Sequence, residues 1–302
     1  MTAPRRIRLR RDLVSGVALL ALTACASSPS GPDSDLPLGA TAVELDIAFC
    51  GGAHPAQRLD LYYPARSRGN LPLVLHVHGG AWHQGDKTTG PMFTSIGAAL
   101  IESGYAVAST NYRLAPISRW PASIEDVTCA VRHLRENAAE FGIDPQRIGV
   151  WGNSAGGHLA ALLGVTDDFS GPGTSTRVQA VVALYGIHDL TASDTPLPTA
   201  FAIESAFGHR PGSGNQVLSA ASPVTHVTPD DAPFLLIHGL EDVLVLTNQS
   251  EVLFTRLTEA SVAAEFVLVE NAGHELIQVG GPIHPSFDVI VSQIVDFFDA
   301  RL

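Results

Sequence analysis

The chain has 302 residues, with 18 Lys and Arg against 30 Asp and Glu, a net charge of −12 at pH 7, and it is 45% hydrophobic and 16% charged. That length suits one large α/β domain or two small ones, and the apolar fraction fills a sizeable core and excludes a disordered chain. The acidic balance repels nucleic acid and anionic polymers, with solubility as its plain cause.

The N-terminus reads as a targeting segment. Arg5, Arg6, Arg8, Arg10 and Arg11 precede an apolar run, Leu13 to Leu22, too short for a stable bilayer anchor. Residues 1–24 are therefore expected to be an export signal. The run ends in Leu22-Thr23-Ala24-Cys25, which looks like a bacterial lipobox, with Cys25 becoming the lipidated first residue after cleavage. The alternative is an ordinary signal with a chance cysteine. The arginine pairs lack the rest of a twin-arginine motif. Residues 25–41, rich in Ala, Ser, Pro, Gly and Asp, are expected to be a lipid-anchored flexible tether, and residues 42–302 a catalytic domain. The expected location is outside the cytoplasmic membrane, on its outer side or in the envelope. Cys50 and Cys129 remain. Oxidation outside the cytoplasm permits a bridge, but two separately buried thiols are the expectation.

Beyond residue 42, strands and helices alternate. Val43 to Cys50 and Gln57 to Tyr62 alternate apolar with polar residues around Gly51-Gly52, which predicts an antiparallel hairpin at a sheet edge. Leu73 to His78, Ala106 to Thr110, Ile148 to Trp151, Val178 to Tyr185, Phe234 to His238 and Phe266 to Val269 read as central parallel strands. Helical patterns cover Ser123 to Glu140, Ser154 to Leu163, Asn248 to Ala260 and Phe287 to Phe298. The expectation is an open, mostly parallel sheet with helices on both faces. Residues 188–230, rich in Pro, Gly and Ser, predict a small insertion above the sheet.

The strongest chemical signal is Gly152-Asn153-Ser154-Ala155-Gly156, which follows a predicted strand and opens a predicted helix. This is the context a nucleophile elbow requires, with Ser154 lifted out of the sheet toward a helix N-terminus. His78-Gly79-Gly80-Ala81-Trp82 follows the strand from Leu73. Its Gly80 and Ala81 amides, with that of Ala155, are candidate oxyanion donors. In an elbow fold the acid and base follow the serine. Asp242, after the strand Phe234 to His238, is preferred over Glu241, read as a solvated neighbour. His274, just after the last strand, is the candidate base, and His284 beside Pro285 reads as structural. Trp82, Tyr112 and Tyr185 are candidate pocket residues, each equally readable as core. His76 and His78 face one side of a strand, and Cys129 and His133 one side of a helix. Neither pair has a third ligand with a supporting motif, so no metal site is expected. His158 is expected to pack or hydrogen-bond within its helix.

These residues resemble the bacterial α/β-hydrolase esterases related to hormone-sensitive lipase, in particular the branch described as bifunctional feruloyl/acetylxylan esterase-like. The resemblance spans nearly all of residues 42–302. It rests on Leu59-Asp60-Leu61-Tyr62, His78-Gly79-Gly80, Asn111-Tyr112-Arg113-Leu114, Trp151 through His158, Ser222-Pro223, His238-Gly239 with Asp242, and Gly273-His274. It implies an α/β-hydrolase fold and hydrolysis of carboxylic esters through a covalent acyl-enzyme, without cofactor, but does not fix the substrate, since related proteins act on short acyl esters, acylated sugars and aryl formamides. It also places the acid at Asp242 and gives the Tyr112-Arg113-Leu114-Ala115-Pro116 stretch a structural role, in which Arg113 is expected to pair with Asp126. Two departures stand out: Ala81 where many relatives have a third glycine, and Asn153 where they have Asp or Ser. The same triad serves amide hydrolases, such as arylformamidases or peptidases, and the fold also serves non-catalytic binding modules.

Overall fold

The computed structural model describes residues 6–7, 36–52, 54–65, 69–88, 90–167, 169 and 173–302. Apart from Arg6–Ile7, the expected export signal lies outside them, as do Cys25 and the expected tether up to residue 35. The end of that tether packs on the domain. A 3₁₀ turn over Pro37–Gly39 buries Leu38, whose methyls occupy the space that a side chain at Gly97 would take. A leucine finding a glycine-made notch gains burial that composition does not announce.

Among the described residues nine strands form one sheet: β1 (Arg6–Ile7), β2 (Ala42–Ala48), β3 (Arg58–Tyr63), β4 (Leu71–Val77), β5 (Ala106–Thr110), β6 (Ile143–Asn153), β7 (Ala180–Leu184), β8 (Phe234–Gly239) and β9 (Ala264–Val269). Their spatial order is β1-β2-β3-β5-β4-β6-β7-β8-β9. The pairings from β1 to β5 are antiparallel, including the expected β2–β3 hairpin, and those from β5 through β4 to β9 are parallel. The helices are α1 (Pro91–Glu102), α2 (Ala122–Glu136), α3 (Ala138–Phe141), α4 (Ala155–Val165), α5 (Leu197–Phe207), α6 (Gln216–Ala220), α7 (Asn248–Glu259) and α8 (Phe287–Asp299). They cover both faces. Along β4, Leu73, Leu75 and Val77 join one apolar cluster with α2 and α4, while Val74 joins the other with α1 and α8. That two-sided burial makes the central strands continuous apolar runs. The fold is the α/β-hydrolase fold, as expected.

Three expectations change. Cys50 and Cys129 are joined by a disulfide, with Cα atoms 5.9 Å apart, so they are not separate thiols and Cys129 is no metal ligand. The bridge ties the β2–β3 hairpin end to α2, two elements whose approach only the tertiary fold creates. The helix expected over Ser123 to Glu140 is broken at Asn137, whose side-chain amide donates to the His133 carbonyl at 2.8 Å. Helix α1 has no counterpart in the sequence reading. Its residues are mostly apolar or small, so no polar stripe marks a helical period.

Parallel strands deliver all their carboxyl-end loops to one edge of the sheet. The loops after β4, β6, β8 and β9 carry the candidate site residues, and the insertion, with α5 and α6, lies over them.

Candidate active site

Ser154 sits between β6 and α4 with φ 54° and ψ −119°, a conformation that costs a non-glycine residue on the order of 1–3 kcal/mol and persists only when the surroundings enforce it. They do. A Cβ at Gly152 would lie 2.2 Å from the Gly156 carbonyl oxygen, and one at Gly156 would lie 2.0 Å from that of Val77. Only glycines allow strand, helix and neighbouring strand to approach so closely.

The three candidate triad side chains meet. His274 Nε2 lies 3.0 Å from Ser154 Oγ, and His274 Nδ1 lies 2.7 Å from Asp242 Oδ2. The other carboxylate oxygen, Oδ1, accepts the Leu244 and Val245 amides, each at 2.9 Å. Burial alone raises a carboxyl's pKa. Here hydrogen bonds from His238 and His274 outweigh it and hold Asp242 well below the usual carboxylate range. Since Asp242 accepts and cannot donate, His274 Nδ1 carries the proton and Nε2 offers its lone pair to Ser154.

Glu241 is more than a solvated neighbour. Its Oε2 accepts the Ala272 amide at 2.8 Å, and its own amide donates to the Ala272 carbonyl at 2.9 Å. It thus pins the loop of Asp242 to the loop of His274. A carboxylate reaching a backbone amide 31 residues away leaves no local sequence signal. His284 pairs backbone to backbone with Glu270.

In the loop after β4, the Gly80 carbonyl accepts the amides of His83 and Gln84. Ala81 and Trp82 follow at φ 54° and 62°. Among the described residues, backbone hydrogen bonds outside helices and strands use neither the Gly80 nor the Ala81 amide. Ala155 is the first residue of α4, so its amide has no intrahelical acceptor. Of the candidate pocket residues, Trp82 lines a cavity of about 150 Å³ with Ala81, Ser154, Thr199, Ala202 and His274. A second cavity of about 670 Å³ is lined by Gly80, Phe93, Asn153, Tyr185, Glu275 and Phe287. Tyr185 lies edge-on to His274, ring centroids 4.9 Å apart. Tyr112 lines neither cavity: it is buried, stacks on His78 at 4.3 Å and donates to the His78 carbonyl at 3.0 Å. It supports the loop from below. Thr199 and Ala202, on α5, were not singled out in the sequence, because nothing in their pattern tells a lining residue from an ordinary helix position.

Two further histidines, His76 and His158, are buried parts of the frame. His76 is wedged between Phe93 and Trp151 and shares a 2.8 Å hydrogen bond with Ser109. Burial, with the nearby His78, pushes its pKa down to about 3. The His158 ring packs edge-on against Trp82 and Phe207, and its hydrogen bonds leave its own helix. It contacts the Ala221 carbonyl through Nε2 at 2.7 Å and accepts the Trp82 indole at 3.3 Å, and burial pushes its pKa down to about 4. Arg113 pairs with Asp126 at 2.9 Å, joining the β5 loop to α2. Among the described residues no group of three or more His, Cys, Asp or Glu is arranged to hold a metal ion.

A mostly parallel sheet with a strained serine between strand and helix, and a histidine and aspartate on later loops, is the arrangement of an α/β-hydrolase. Residues 59–257 match the BD-FAE family, and the chain belongs to it. It is 33% identical over 260 residues to Esterase LipQ of Mycobacterium tuberculosis, covering 76% of this chain and 60% of LipQ. It is 35% identical over 218 residues to a probable carboxylic ester hydrolase, LipM, of the same organism, covering 68% and 50%. The chain thus spans half to three fifths of the length of these curated relatives. Among solved structures, a truncated carbohydrate esterase from gut microbiota superposes with a TM-score of 0.76 at 28% identity, covering 90% of this chain and 99% of that one.

Proposed function

We propose that the chain is a serine carboxylic ester hydrolase acting through a covalent acyl-enzyme. One observation carries the reading. The hydrogen-bonded series from Ser154 through His274 to Asp242 opens onto a cavity, in a chain whose relatives are named esterases. His274 takes the Ser154 proton as Oγ attacks the ester carbonyl, then gives it to the departing alcohol. Asp242 holds the ring and offsets the imidazolium charge. Water repeats the sequence to release the acid. The Gly80, Ala81 and Ala155 amides receive the oxyanion. The small cavity beside Ser154, closed by Trp82 and the Ala81 methyl, suits acyl groups of about two to six carbons. The test is kcat/KM across p-nitrophenyl esters from acetate to decanoate, with matched anilides and Ser154→Ala as control. Short esters should lead and Ser154→Ala should be silent. Faster anilide cleavage or a decanoate optimum would refute the substrate assignment.

A second part of the proposal concerns location. Cys25 carries a lipid that holds the domain to the outer side of a bacterial membrane, a reading supported by the apolar run ending in Leu22-Thr23-Ala24-Cys25. Cys25→Ser should move the protein from membrane to soluble fractions with kcat unchanged. Retention of that variant in membranes would contradict it.

A further inference from the structure

A second imidazole, fully buried, also reaches Asp242 Oδ2. His238 is in β8, where the backbone positions that pair with β7 and β9 fix it. Its Nε2 lies 2.8 Å from the Val245 carbonyl oxygen and 3.4 Å from Asp242 Oδ2. Its Nδ1 lies 2.7 Å from the Ser250 hydroxyl, on α7 and also fully buried. Both oxygens facing Nε2 are acceptors only: a carbonyl, and a carboxylate held ionised. Nε2 must therefore carry the proton, and Nδ1 must accept from the Ser250 hydroxyl. The opposite tautomer would set a nitrogen lone pair against two oxygens in a dry site.

We infer that His238 is a positioning residue for the triad, sharing its Nε2 proton between the Val245 carbonyl and Asp242 Oδ2, with Ser250 fixing its tautomer. This rests on the esterase reading above. The series then runs Ser250, His238, Asp242, His274, Ser154. Asp242 Oδ2 is held between two imidazoles while Oδ1 is held by two amides, so the carboxylate can neither rotate nor tilt. A loose carboxylate would let the His274 ring turn away from Ser154, and orientation errors of this size are costly. The second imidazole touches neither substrate nor reacting atom. Its effect should therefore fall on kcat, with KM untouched.

The experiment measures p-nitrophenyl acetate hydrolysis and the downfield proton resonance of the His274–Asp242 hydrogen bond in wild type, His238→Leu, His238→Gln and Ser250→Ala. Ser154→Ala is the control. His238→Leu should lose ten- to a hundredfold in kcat at near-constant KM and shift or broaden the resonance, as expected for losing a hydrogen bond to a charged group. His238→Gln, whose Nε2 can reach the same acceptors, should recover most of the rate. Ser250→Ala should lose a few-fold and move the resonance the same way. A folded His238→Leu with wild-type kcat and an unmoved resonance overturns the inference. If His238→Leu does not fold, wild-type values in Ser250→Ala overturn it. Activity surviving in Ser154→Ala would instead overturn the esterase mechanism, a separate failure.

Discussion

The loops at the carboxyl ends of β6, β8 and β9 and the insertion above them meet at the same serine but are built differently. The three loops are fixed by close backbone packing and by hydrogen bonds between loops. Gly152 and Gly156 leave no room for a different elbow, and the Asp242 and His274 loops are sewn together by Glu241 and paired amides. The insertion is held by side chains, its own Ser222 and, from outside it, Gln249 and His158. Ser222 accepts the Leu190 amide, Gln249 accepts those of His188 and Asp189, and His158 contacts Ala221. Positions that must be exact for proton transfer are set by close backbone packing at the elbow and a clamp between the other two loops. The wall over the cavity beside Ser154 hangs on a few hydrogen bonds between side chains and backbone.

The largest effects should come from the backbone-fixed loops. Ser154→Ala and His274→Ala should each lower kcat on the order of 10⁴–10⁶-fold, with the double variant little worse than either, because the residues act as a unit. His284→Ala should stay near wild type. A reversed ranking of the two histidines in steady-state kinetics would break the assignment. Next, Asp242→Asn should cost about 10³–10⁴-fold through the wrong imidazole tautomer. Glu241→Gln should stay within about threefold, since an amide oxygen can still accept from Ala272. Equal losses would mean that the clamp, not the tautomer, governs the rate.

The insertion's anchoring should respond to acid. His158 stays neutral in the fold down to about pH 4, whereas the unfolded chain takes a proton near its ordinary value of 6.5. Between those values the unfolded state binds more protons. The stabilisation is therefore complete above pH 6.5 and falls as pH drops to about 4, by about 1.4 kcal/mol per pH unit for this residue. Urea melts from pH 7.5 to 4 should show His158→Gln with a shallower acid slope than wild type. An identical slope would deny His158 that role. Smaller still, Ala202→Phe on α5 should fill the cavity beside Ser154. It should cut kcat/KM for hexanoate about tenfold while leaving acetate within about threefold. Equal losses on both esters would place Ala202 outside the acyl path.

The same contrast explains what the sequence made legible. The sheet, the hairpin and the elbow follow from short apolar runs and from glycines whose neighbours demand them, whereas the meeting of Ser154, His274 and Asp242 is read from chain order and the family resemblance. The Cys50–Cys129 bridge, the burial of Leu38 against Gly97, the clamp by Glu241 and the lining role of Thr199 and Ala202 each depend on residues brought together only in three dimensions. Helix α1 was hidden for another reason: burial removed the polar face that would have shown its period. Of the two readings open for Tyr112, pocket or core, the structure takes the second: it supports the loop after β4 from below.

The most direct test of the central claim is to trap the covalent intermediate. A fluorophosphonate should add to one residue of the purified protein, and peptide mass spectrometry should place the adduct on Ser154. Activity should be lost in proportion to labelling, and Ser154→Ala should neither label nor turn over. Full inactivation with the adduct on another residue, or ester turnover that persists when Ser154 is fully labelled, would contradict the account.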